Sequence, residues 1–277
     1  MRYLDIFKTR KNNEKKAENT DQKLFNEIIK NADYILKNTK NTSEKIHPIF
    51  TFVKQITDLI TAETALNSYI KGEYYPDNVI PKVIEARFSQ NSSLLINHIK
   101  ISPKKEDKKY YIASGYYYYD ENIEINLANF PLVLNPWNSS RISNNIKNVS
   151  TEINPFDSRR FSWNIVNVYY YPVGFAQCFG GNHSQYSSKL KGAGTSFIDS
   201  IIDVEKVYKY VSFDGIDFCY NFPNDEVKIY PQNFPSKNKL EFYAGTLYEI
   251  GRLLLDYPDI FPEQIQNAIK DKKTFEG

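Results

Sequence analysis

Cys178-Phe179-Gly180-Gly181-Asn182-His183-Ser184 is the stretch on which the reading of this chain turns. Upstream, Ile165 to Tyr171 is an apolar and aromatic run, and a second such run ends at Phe179; downstream, Ser184 to Leu190 is compatible with a helix. A strand that ends in two glycines and feeds a helix aims several backbone N–H groups at one point, with the positive end of the helix dipole behind them. Glycine also lets an anion approach the backbone closely. Two readings stand on spacing alone: a plain strand-to-helix turn, or an anion site. In the second, Gly180, Gly181, Asn182 and Ser184 hold the ligand, and His183 acts as hydrogen-bond donor or as general acid and base near neutral pH.

Working outward, the amino-terminal part reads as helical. From Asp21, Leu24, Phe25, Ile28, Ile29, Ala32, Ile35 and Leu36 recur every three or four residues, which predicts an amphipathic helix. A second helix is predicted from Pro48 to Lys71, with Gly72 as its terminator, and a short third over 77–90. After the charged stretch 103–109 the texture turns aromatic and β-branched, with strands predicted over 110–119, 130–134, 163–172, 174–179, 196–202, 206–213 and 216–220. A helix over 238–257 follows. The expected class is α+β: a flexible leader at 1–22, a helical region at 23–100, and an α/β domain with a carboxy-terminal helix at 101–277.

Phe179-Gly180-Gly181-Asn182-His183-Ser184 resembles the Phe-Gly-Gly-Cys-His-Arg segment of sulfiredoxin and the Gly-Glu-Arg-Arg or Gly-His-His-Arg segments of the ParB superfamily. Upstream, Asn135-Pro136-Trp137-Asn138-Ser139-Ser140-Arg141 looks like the Asn-Pro to Arg motif that opens ParB-like domains, followed by a helix-compatible segment from Ile142 to Val149. The resemblance spans roughly residues 125–215 and implies a ParB/sulfiredoxin-like mixed α/β domain that binds nucleotide phosphates at the glycine turn, with Arg141 as an auxiliary phosphate contact. The departures matter. Asn182 stands where sulfiredoxin has its reactive cysteine, which removes the nucleophile of sulfinic-acid reduction. Ser184 replaces the usual basic residue, leaving Lys189 or Lys191 to supply the missing charge.

Other candidates carry plainer readings. His47, before Pro48, and His98 read as structural; Cys178 reads as a small packed hydrophobe. Asp199, Asp203, Asp214 and Asp217 are a conceivable magnesium set, although Asp214-Gly215 is first a hairpin turn, and no metal ligand is assigned. Arg159-Arg160 beside Trp163 reads as a solvated loop before it reads as a nucleic-acid patch. The tyrosine run 116–119 is explained by core packing and a covered sheet edge.

A net charge of +2 excludes nucleic acid as a partner demanded by global charge. Two cysteines cannot build a disulfide framework, and no apolar run is long enough for export or for a membrane span, so a reducing cytoplasm is expected. The expected function is binding of a nucleotide or another phosphate-bearing small molecule at 180–184, a nucleoside triphosphate with Mg²⁺ being the cofactor to consider. Phosphoryl transfer or phosphodiester hydrolysis is the reaction class such a site would serve. The alternative is a non-catalytic protein- or nucleic-acid-interaction module, for example in phage defence or a mobile element.

Overall fold

The computed structural model describes residues 20–39, 46–76, 96–101, 110–113, 116–119, 122–160, 162–220, 234–235 and 238–276. The predicted third helix at 77–90, the charged stretch 103–109 and nearly all of the leader lie outside the described residues.

Helices α1 (Thr20–Asn38) and α2 (Pro48–Lys71) form where the periodicity places them. Pro48 occupies the first helical position, His47 Nδ1 accepts the Ile49 amide at 3.2 Å, and Gly72 ends α2 at φ 74°. Strand β1 (Asn97–Ile101) begins inside the stretch read as helical. It is followed by β2 (Tyr110–Ala113), β3 (Tyr116–Tyr119), β4 (Ile123–Asn126) and β5 (Leu132–Val133). Next come α3 (Ser139–Asn148), the hairpin β6 (Val166–Tyr171) and β7 (Phe175–Gly180), and then α4 (Asn182–Leu190). The chain continues through β8 (Thr195–Ile198), β9 (Ser200–Asp203), β10 (Val211–Phe213), β11 (Asp217–Tyr220), β12 (Phe234–Pro235), α5 (Lys239–Leu254) and α6 (Glu263–Glu276).

Among the described residues seven strands make one mixed sheet in the order β2-β3-β1-β9-β6-β7-β5, with β6 in its interior between a parallel neighbour, β9, and an antiparallel one, β7. The stretch 196–202, predicted as one strand, is two. At Asp199 the chain leaves β8, paired with β4, and enters the large sheet as β9. Asp199 is held there by its N–H on Asn167 O and its carboxylate on Asn167 N, at 2.9 and 2.7 Å. The predicted strand 206–213 keeps only its end as β10, because the Asp203 carboxylate caps Glu205 N and sets a 3₁₀ turn over Glu205–Lys209.

The helices and the sheet share a single apolar core. Phe25 of α1 meets Phe213 of β10 edge-on at 5.5 Å, and Phe261 bridges Phe50 of α2 and Tyr171 of β6 at 5.6 and 4.9 Å. Helix α5 is buried nearly all round; its Glu249 accepts from Arg252 Nε at 2.7 Å and from the Phe213 amide at 2.8 Å, so that buried charge is paired. No described helix is long and apolar enough to cross a membrane.

Candidate functional site

Helix α4 starts at Asn182, two residues before the stretch Ser184 to Leu190 read as helix-compatible, so Asn182 and His183 belong to its first turn. Gly181 sits in the left-handed region at φ 78°, and the Gln185 amide on Gly181 O closes the first turn at 3.0 Å. The amides of Asn182, His183 and Ser184 meet no acceptor among the described residues. Helix α3 runs beside α4 in the same direction. Their starts are joined by the Asn138 N–H on His183 Nε2 at 3.2 Å, their middles by Ser187 Oγ on Asn145 O at 2.8 Å, and their ends by Ser150 and Ser188 hydroxyls at 2.6 Å. Two positive helix ends therefore lie together. The α3 end is largely filled: Asn138 Oδ1 accepts the Arg141 amide, and Gly72 O, at the end of α2, accepts both Ser139 N and Ser139 Oγ.

The two sequence motifs thus meet in space. Asn182 Oδ1 accepts the Asn135 amide at 2.7 Å, and the His183 ring packs edge-on against Trp137 at 5.3 Å. Trp137 is stacked on Tyr75 at 4.6 Å and carries the Arg141 guanidinium over its ring at 5.0 Å. His183 is buried, and Nε2, the acceptor, is committed to a backbone amide. Burial first, then the Arg141 charge, pull its pKa down to about 4, so the ring is neutral at pH 7. That geometry holds a loop in place and leaves Nε2 without a free lone pair for proton abstraction.

The glycines have a local explanation. A Cβ on Gly180 would lie 2.6 Å from Asn164 O, and one on Gly181 would collide with the Ile165 side chain. The chain's own 164–166 segment fills the close approach. Beside the turn lies a cavity of about 130 Å³ lined by Val149, Asn154, Phe156, Asn164, Ile165 and Ser184, and Ser184 is the one turn residue on it. At about 30 Å³ per water that is room for a few waters or one phosphate-sized group.

The reserve cations are engaged elsewhere. Lys189 is buried, with Nζ 2.7 Å from Asp58 Oδ1 and 2.8 Å from Leu132 O, and burial lowers its pKa to about 8. Lys191 Nζ donates to Val149 O at 2.5 Å. Cys178 is packed, its Sγ 2.8 Å from Gly180 O, and burial raises the thiol well above its usual range. Among the described residues no group of three His, Cys, Asp or Glu could hold a metal ion. Asp214 caps the β10–β11 turn through the Ile216 and Asp217 amides. Arg159 pairs with Glu124 at 2.8 Å while Trp163 stands 82% exposed.

Sequence reasoning missed a buried polar cluster behind the turn. Asn167 of β6 and Gln185 of α4 exchange two amide hydrogen bonds at 3.1 Å, Asn167 Nδ2 also donates to Ser196 Oγ, and Gln185 Nε2 donates to Cys178 Sγ. The signal was Asn167 itself, the one polar residue in the run Ile165–Tyr171.

The chain matches the model of a family of unknown function, DUF6710, over residues 9–261. It belongs to that family. No curated protein and no solved structure matches it. The matched span of DUF6710 runs from before α1 to Phe261 and takes in both helix starts, the glycine turn and Trp137.

Proposed function

We propose that this DUF6710 protein binds a phosphate-bearing ligand, in the first place a nucleotide, at the amino-terminal end of α4, and that the site works by recognition and not by turnover. One observation carries the reading: among the described residues the amides of Asn182, His183 and Ser184 meet no acceptor at the shared positive end of α3 and α4. Ser184 faces the adjoining cavity and Arg141 stands on the α3 side, which supports an anion as the ligand. The resemblance of 135–141 and 179–184 to ParB and sulfiredoxin segments points the same way. In this scheme Gly180 and Gly181 shape the turn, Asn182 and His183 hold the 135–138 loop, and the amides with Ser184 and Arg141 meet the phosphate. Phosphoryl transfer and hydrolysis have no base to use at His183, whose acceptor nitrogen is occupied.

A thermal-shift screen with ATP, CTP, GTP, UTP and inorganic phosphate, with and without Mg²⁺, tests the proposal. A ligand at a hundred times its Kd stabilises by about 2.7 kcal/mol. Ser184→Asp places a carboxylate at the free amides and should abolish the shift without unfolding the chain. Absence of any shift for the wild type, or an equal shift for Ser184→Asp, refutes the site.

The second reading, a protein- or nucleic-acid-interaction module, is favoured by the same commitment of Asn182 and His183 to the fold. Phe179, 41% exposed, and Trp163 would then be its contacts.

A further inference from the structure

Helix α2 is apolar on two faces. One face, with Ile49, Val53, Ile56 and Ile60, is buried in the core. On the other, Leu59, Ala62, Leu66 and Tyr69 recur at spacings of 3, 4 and 3, with Ile70 beside them, and all five are exposed. Leu66 is 62% exposed and Ile70 81%. Alternating steps of three and four are the seam spacing of paired helices.

We propose that this face pairs with the same face of a second copy of the chain, the two α2 helices lying antiparallel with the twofold axis passing between Ala62 and Leu66. Two features select a second copy as the occupant. The stripe is self-complementary in that register: Leu66 faces Ala62 of the partner subunit, large side chain into small, and Leu59 faces Ile70 of the partner subunit. The area reaches the scale needed: the five side chains expose on the order of 500 Å² per copy, so their full burial in a pair removes about 1,000 Å², the lower bound of a specific interface. A net charge of only +2 adds little self-repulsion.

Size-exclusion chromatography with light scattering on the full chain at micromolar concentration reads the answer directly. The expected mass is twice 32.3 kDa for the wild type, falling to 32.3 kDa for the double variant Leu66→Glu, Ile70→Glu with its helical circular dichroism intact. Tyr34→Glu, at a 64% exposed position on α1 outside the seam, should stay dimeric. Leu59→Lys and Ile70→Glu chains, each monomeric alone, should recover the dimer when mixed, because position 59 of one copy meets position 70 of the other. A monomeric wild type, or a dimer that survives the double variant, overturns the proposal; failure to recover on mixing overturns the antiparallel register.

Discussion

Replacing His183 separates its structural work from any chemistry. In His183→Ala the part-buried Asn138 amide loses its acceptor, a loss of about 1 kcal/mol, and a ring packed on Trp137 leaves a partly filled hole costing about 2 kcal/mol. Together these amount to about 3 kcal/mol, or a fall in Tm of roughly 6–10 °C for a chain of this size. His183→Gln keeps an acceptor at the same place and should cost about 1 kcal/mol. The titration adds a second signature. The folded pKa of about 4 lies below the unfolded value of 6.5, so the unfolded chain binds more protons between them. The contribution is therefore fully present above pH 6.5 and is lost as pH falls toward 4. After allowance for solvent screening it is about 2 kcal/mol. Urea unfolding of wild type and His183→Gln from pH 7 to 4 measures it: their curves should converge as the pH falls and then cross, the variant ending about 1 kcal/mol the more stable. Parallel curves, or a His183 ring titrating near 6.5 by NMR, would refute the account of this histidine.

Three further outcomes follow from named contacts. Gly181→Ala should destabilise by about 2–4 kcal/mol, from the left-handed φ and the collision with Ile165; in a double-mutant cycle with Ile165→Ala, denaturant unfolding should show at least ~1 kcal/mol of coupling. A coupling of zero would mean that packing on Ile165 does not explain that glycine. Asp199 has its folded pKa raised from 3.8 to about 6, mainly by burial, so its contribution is present below pH 3.8 and is lost as pH rises through 6. Asp199→Asn should accordingly match the wild type near pH 4 and exceed it by about 1 kcal/mol at pH 7, once the partial exposure of the carboxyl is discounted. Asn138→Ala removes the cap of α3 and should lower stability by about 1 kcal/mol in the same assay.

Where one residue pattern answers to one local cause, the fold was legible. Phe25, Ile29, Ala32 and Leu36 recur with the helical period and are the buried stripe of α1, and Pro48 and Gly72 bound α2 for the reasons of φ and missing N–H that make them punctuation. What escaped depends on distant partners. Strand β4 is four residues long and exists by pairing with β8, some seventy residues later. The division of 196–202 at Asp199 is set by Asn167 on another strand, and helix α6 hides because its apolar residues, Ile265, Ala268 and Ile269, make a short stripe in a polar tail.

The site divides along the same line, and the division bears on function. A glycine pair, an asparagine and a histidine between strand and helix are what a phosphate cradle needs, and equally what a tight junction needs when a neighbouring segment presses on it and a loop must be pinned. The sequence contains both possibilities because the same atoms serve both. Pairing separates them: Oδ1 of Asn182 and Nε2 of His183 are spent on the Asn135 and Asn138 amides, and the space over the glycines is taken by Asn164 and Ile165. What no contact among the described residues uses is the backbone itself, the three amides at the start of α4. If a ligand binds here, its recognition comes from the main chain and from Ser184, and side-chain changes at 182 and 183 will act on stability first and on affinity only through it.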